Sequence, residues 1–209
     1  MKTKLFRLRQ FAVGGSKFPW ASGYGLMEDM RFLDCLGQEW AEDIKNFLAH
    51  NKCYTPGMHV EGNGSSWSDF IGCGSSGPGF FVSERVLEDL KEAGVEIMRA
   101  TEMPIAEIKT KRLQKLIPPR YYVIEALPGV DVDFRASGYP VDAEGNPTSK
   151  LRISGVSGLL ALRLQSWNGN DLFSTRSGAT YGLHCTEKVK DLAEEKGWTN
   201  VKFTEVPVV

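Results

Sequence analysis

Apolar and basic positions alternate from the start of the chain. Residues 4–13 (KLFRLRQFAV) have the period of a half-buried strand, and Gly14, Gly15 and Ser16 end the run. A loop of glycine, proline and aromatic residues follows through Gly25. The period then changes. Met30, Leu33, Leu36, Trp40, Ile44 and Phe47 recur at three and four, which predicts a helical stretch over 27–48 with Gly37 as a point of division. Loose glycine-containing sequence then leads to Trp67.

From Trp67 onward two segments repeat one order of signals. In the first, a short apolar element (Trp67–Ile71) precedes the glycine-rich turn GCGSSGPG and the apolar run Phe80-Phe81-Val82. Ser83 is placed to cap a helix, with Glu84 in its first turn where the helix dipole favours negative charge. Val86, Leu87, Leu90 and Ala93 form its buried stripe. Gly94 stands where a left-handed C-cap belongs, and a strand over 95–103 ends at Pro104. In the second segment Trp167 and Asp171-Leu172-Phe173 precede a glycine-containing loop. Gly182-Leu183-His184-Cys185 then leads to Thr186 as N-cap; Val189, Leu192 and Ala193 face inward, and Gly197 closes the helix. Val201, Phe203 and Val206 make the last strand.

Shifted by 103 positions, residues 79–104 lie on 182–207 without a gap. They share eight identities in 26 positions, where ordinary composition gives roughly two. The pairs Ser83/Thr186, Arg85/Lys188 and Arg99/Lys202 are conservative besides. Between the segments, Tyr121–Ala126 and Leu159–Leu164 read as strands, 130–134 as an edge strand, and 137–150 as an exposed loop or hairpin tip. The predicted fold class is therefore α+β: a largely antiparallel sheet with short packed helices, containing two copies of a β-turn-α-β unit. The copies span 67–105 and 167–208 within an α+β region 67–209, and a strand/helix region 1–66 packs on it. The chain forms either one compact unit or two intimately packed halves.

Composition narrows the function classes. A 209-residue chain with 42% hydrophobic and 24% charged residues can bury a sizeable core. The net charge is −1, and the densest basic tract (Lys109, Lys111, Arg112, Lys115, Arg120) reads as a solvated helix face. No nucleic-acid partner is expected. Basic residues interrupt the N-terminal apolar run, and no stretch reaches the ~18 apolar residues of a membrane span. The four cysteines (Cys35, Cys53, Cys73 and Cys185) form no CxxC pair. They read as reduced, mostly buried thiols, so the expected location is cytoplasmic, with no membrane partner.

Motifs with chemical potential are few. Gly72-Cys73-Gly74-Ser75-Ser76-Gly77 satisfies the dinucleotide pattern GxGxxG, but Pro78, Gly79, Phe80 and Phe81 stand between it and the helix start, so a glycine-rich turn is the simpler reading. As an alternative, Gly72, Cys73, Gly74 and Gly77 would form a ligand loop, with the Cys73 thiol activated by a distant histidine among His50, His59 and His184. A small-ligand module is the other alternative. His184 and Cys185 point to opposite sides of an extended segment, which argues against a shared metal. Asp131 and Asp133 share one face of a strand. Trp67 with Asp69 and Trp167 with Asp171 are candidate partner-binding anchors; the competing reading is a core tryptophan beside an aspartate that caps a turn. No catalytic set, metal site or cofactor is expected.

The stretches DFIGCGSSGPGFFVSERVLEDLKEAG (69–94), PPRYYVIEALPGVDVDF (118–134) and 166–207, from SWNGNDLF to FTEVP, give the chain its resemblance to a known group. It resembles bacterial immunity-type proteins of polymorphic toxin systems, and most closely the double-CxxCG-motif family. The cysteine pairs that would clamp zinc there are absent, and residues 150–165 contain no cysteine. The zinc site does not carry over. The resemblance implies a non-catalytic protein that neutralises a cognate protein toxin by direct contact.

Overall fold

The computed structural model describes residues 3–10, 17–22, 58–62, 64–73, 80–148, 160–175 and 183–209. The helical stretch expected over 27–48 lies outside these residues. The described strands are β1 (Leu5–Gln10), β2 (Trp20–Ser22), β3 (Met58–Glu61), β4 (Phe70–Cys73), β5 (Phe80–Ser83), β6 (Arg99–Met103) and β7 (Ile105–Ile108). They continue with β8 (Tyr121–Glu125), β9 (Pro128–Asp133), β10 (Ala161–Arg163), β11 (Leu172–Thr175), β12 (His184–Thr186) and β13 (Val201–Glu205). Two helices accompany them, α1 (Glu84–Glu92) and α2 (Glu187–Lys196).

These elements make a mixed α+β fold with two curled sheets where a single sheet was expected. One sheet has the order β6-β8-β5-β4-β2-β3-β7 and the other β10-β9-β11-β12-β1-β13. Pairing is mostly antiparallel, with parallel contacts at β2·β4, β3·β7 and β9·β11. The reason for two sheets lies in the side-chain alternation, because several strands are apolar on both faces. Phe70 and Val82 face a shared core with α1 and α2, whereas their neighbours Ile71 and Phe81 face a second core with Met58, Val60 and Tyr121. Likewise Leu172 and Cys185 face the shared core, while Phe173 joins Leu5, Val130 and Leu162 in a third. The shared core draws from both sheets and holds Val86, Leu90, Val189, Ala193 and Trp198.

The expected edge strand at 130–134 is corrected. β9 runs between β10 and β11 and buries Val130 and Val132 on both sides of its polar residues. At its bulge, a Cβ on Gly129 would sit 2.6 Å from the Cβ of Phe173, so only glycine lets β11 approach. Residues 135–148 form exposed turns, closed by a bridge between Val141 and Pro147. The basic tract is likewise no helix face. It forms a 3₁₀ turn at Leu113–Lys115 with loop on either side.

Two strand orders correspond in direction. Read as β6-β8-β5-β4-β2-β3 and β13-β1-β12-β11-β9-β10, each sheet shows three antiparallel pairings, one parallel and one antiparallel. The parallel contact of β7 on β3 has a counterpart in the parallel bridge from Val208 to Leu162 on β10. Both helices end on a left-handed glycine, Gly94 at φ 67° and Gly197 at φ 64°. In each case the next N–H reaches back five residues, Val95 to Leu90 and Trp198 to Ala193.

Candidate functional site

At the start of α1 the chain opens a groove of about 500 Å³. Trp67, Ser68 and Asp69 form one wall, Ser83, Glu84, Arg85 and Glu88 a second, and Pro119, Arg120 and Thr199 complete it. Its centre is the carboxylate of Asp69. Ser83 Oγ donates to Oδ1 at 3.0 Å, and Arg85 donates to both oxygens, Nε at 3.1 Å and Nη2 at 2.6 Å. The Thr199 backbone N–H and hydroxyl each donate to Oδ2 at 2.8 Å, from 130 residues away. Burial acts to raise the Asp69 pKa, but the hydrogen bonds from Arg85 and Thr199 outweigh it and hold the carboxyl below its ordinary value.

The cap at Ser83 works differently from expectation. Its side chain makes no bond to the helix N–H groups. It donates to Asp69 while its own N–H donates to the Asp69 carbonyl at 2.8 Å, so the aspartate fixes where the helix starts. The Glu84 N–H donates to the carbonyl of Arg120 at 2.9 Å. Arg120 in turn bridges Glu84 at 2.6 Å and Glu102 at 2.7 Å and lies over the Tyr122 ring. All three ion-pair partners are substantially exposed, so the bridge orients side chains more than it stabilises the fold. Beneath the groove, Tyr121 is fully buried and its hydroxyl donates to the Ser68 carbonyl at 2.6 Å. Burial raises its pKa far beyond the phenol range, which keeps it a neutral donor.

The second candidate anchor shares half of this plan. Asp171 accepts from Thr186 Oγ1 at 2.8 Å and Lys188 Nζ at 2.8 Å, and the Thr186 N–H donates to the Asp171 carbonyl. The tryptophans differ. Trp167 packs on Phe173, and its indole N–H donates to the Asn170 carbonyl at 3.1 Å. Trp67 packs on Tyr121, and its indole nitrogen is buried with no hydrogen-bond partner among the described residues.

The residues of the alternative ligand loop divide. Gly72 and the backbone of Cys73 end β4, while the Cys73 side chain, Gly74 and Gly77 lie outside the described residues. Of the histidines, His50 also lies outside them. His59 contacts Glu107 at 3.2 Å, and His184 is buried and stacked on Phe173. The Cys185 thiol is fully buried, and burial pushes its pKa well above the ordinary thiol range. Asp133 pairs with Arg163 at 3.2 Å and accepts from the Ala136 N–H.

Trp67 and Asp69, singled out in the sequence as candidate anchors, line this groove, whereas Arg85, Arg120 and Thr199 were not singled out for it. The conservative pair Arg85/Lys188 was a usable signal, because each sits two residues into the helix and meets an aspartate. Thr199 had none, since its role depends on the meeting of the two helices. Neither a protein-family model nor a curated protein matches the chain.

Proposed function

We propose that the chain is a non-catalytic binding protein of the immunity type, which neutralises a cognate protein toxin by direct contact through the groove at the start of α1. One observation carries the reading. Asp69, Arg85, Glu84 and Arg120 are paired with one another or with neighbouring groups of the fold, while the buried Trp67 indole N–H has no acceptor among the described residues. Groups committed to internal pairing position a surface. That N–H is buried, so a docked carbonyl accepts from it once the Trp67 ring turns into the groove it lines. The implied compartment is the cytoplasm, where such a partner would be met.

The same proposal covers the architecture. The chain reads as a duplicated unit in which each half lends its first strand to the other sheet. Three observations support it. β8 lies between β5 and β6, and β1 lies between β12 and β13. Tyr122 opposes Val82 and Glu102, and Phe6 opposes Cys185 and Glu205, so both partners are shifted by 103. The aspartate, hydroxyl and cation at the helix start recur as Asp69/Ser83/Arg85 and Asp171/Thr186/Lys188.

Co-expression with the products of the genes beside this one, assayed for toxicity, tests the binding reading. The wild-type chain is expected to restore growth and to co-purify with the toxin at one-to-one stoichiometry. Replacing the Trp67 side chain by its benzothiophene analogue keeps the fused ring and its packing on Tyr121 and removes only the N–H. It is expected to weaken the complex about fivefold to tenfold, the range of one buried hydrogen bond. A wild-type chain that neither binds nor protects would overturn the proposal.

A further inference from the structure

The segment from Lys109 to Arg120 is rigidly held yet displays apolar side chains to solvent. Leu113 is fully buried and anchors it. The N–H groups of Leu113 and Gln114 donate to the Thr110 carbonyl, and the Thr110 hydroxyl donates to the Gly62 carbonyl at 2.9 Å. Gln114 Nε2 donates to the Ile108 carbonyl at 2.6 Å. The two prolines that follow, Pro118 and Pro119, limit the backbone further. On this fixed turn Ile117 is 94% exposed and Leu116 44% exposed. Among the described residues they are the two adjacent large hydrophobic side chains that are exposed. Lys111, Arg112 and Lys115 precede or flank them on the same turn, all exposed, and none makes an ion pair among the described residues. The turn runs directly into Pro119 and Arg120 of the groove wall.

We infer that Leu116 and Ile117 form an aliphatic peg, with Lys111, Arg112 and Lys115 on the same exposed turn, that seats in an apolar pocket with an acidic rim on the protein partner whose neighbouring segment fills the groove. The inference rests on the binding function proposed above and names the partner's chemistry. A peg held by Thr110, Gln114 and two prolines loses little freedom on docking. An aliphatic side chain as exposed as that of Ile117 gains the most from burial at an interface centre. The three unpaired cations select an acidic rim and speed encounter. A protein fits better than an anionic membrane, because a concave groove of mixed charge beside the peg is filled by a protruding segment and not by a flat surface.

The test compares the wild-type chain with Ile117→Asp, the triple variant Lys111→Glu/Arg112→Glu/Lys115→Glu, and the control Glu144→Lys on the exposed 135–148 turns. Each is assayed for protection against, and affinity for, the toxin that the co-expression test identifies. Ile117→Asp and the triple variant are expected to lose at least about tenfold in affinity. The triple variant is expected to lose mainly association rate, with a flattened salt dependence. The control and all melting temperatures should stay as in the wild type. Protection that survives both peg variants would overturn the peg and leave the binding reading intact. A wild-type chain without protection would remove both. Sedimentation with vesicles containing anionic phospholipid, lost in Ile117→Asp and absent with neutral vesicles, would assign the peg to a membrane and overturn its stated occupant.

Discussion

The two helix starts share a framework and diverge in depth. At α1 the Asp69 side chain is 11% exposed and accepts from five donors, two of them on Thr199 beyond the end of α2. At α2 the Asp171 side chain is 26% exposed and is held by Thr186 and Lys188. Both do the same local job, tying the strand before the turn to the first residue of the helix. Contacts around Asp69 also tie α1 to the end of α2, because Arg85 donates to the Lys196 carbonyl, and nearby Trp198 Nε1 donates to Asp89 at 2.7 Å. One framework can thus serve as a simple clamp at one place and as the floor of a groove at another. What separates them is Trp67, Pro119 and Arg120 around the first.

The largest test of this comparison asks whether the halves really share strands. Removing residues 1–10 takes β1, with buried Leu5, Phe6 and Leu8, from the middle of its sheet and parts β12 from β13. The expected outcome is loss of the cooperative melting transition. Cutting the chain at an engineered protease site near Ile117 should do far less. Each fragment then still holds a strand in the other's sheet, so the two should co-elute natively and part only in denaturant. Fragments that separate in native buffer would break the exchanged-strand reading.

Asp69→Ala against Asp171→Ala sharpens the difference in depth. Truncating Asp69 strands the Thr199 and Ser83 donors and leaves Arg85 without its partner. The expected cost is about 3 kcal/mol, kept modest because Arg85 is half-exposed. Truncating Asp171, with two side-chain partners near solvent, should cost about 1 kcal/mol. Urea unfolding of both variants decides it; equal costs would mean that Thr199 adds nothing.

A pH series probes the same carboxylate. The folded pKa of Asp69 lies below its ordinary 3.8, so its stabilisation is fully present above about pH 4 and is lost as pH falls through the folded value. The wild-type melting temperature should therefore drop as pH falls below about 4. Asp69→Asn, lower at neutral pH, should show a shallower acid limb.

Much of this framework was legible in the residues, and its limits have physical causes. Helix boundaries, buried stripes and glycine caps were readable because they depend on neighbours a few positions apart. The Asp69–Ser83 and Asp171–Thr186 bonds were half-legible: the residue types were evident, but the hydroxyls were expected to cap the helices rather than donate to aspartate. The division into two sheets was not legible. Short strands such as FIGC at 70–73 carry apolar residues on both faces, and nothing local says that the two faces meet different cores. For the same reason 130–134 looked like an edge, although β10 arrives 30 residues later to cover it. The basic tract misled because its charges imitate a helix face, while Thr110 and the following prolines hold it in a turn.

The smallest effect should be the most nearly equal one. Gly94 and Gly197 both end their helices at positive φ, and a Cβ on either would meet nothing within 4 Å. Substitution by alanine therefore tests backbone conformation alone, free of packing. Each change is expected to cost about 1 kcal/mol, from the strain of a left-handed alanine partly offset by a less flexible unfolded chain. Because both glycines carry the same pair of reversed hydrogen bonds, the two costs should agree within about 0.5 kcal/mol. The double variant should be additive, since the caps share no partner. A markedly larger cost at Gly197 would show that this cap also positions Trp198 and Thr199 against Asp89 and Asp69. The asymmetry between the two helices would then begin at the helix end that reaches across, and not at the groove it supports.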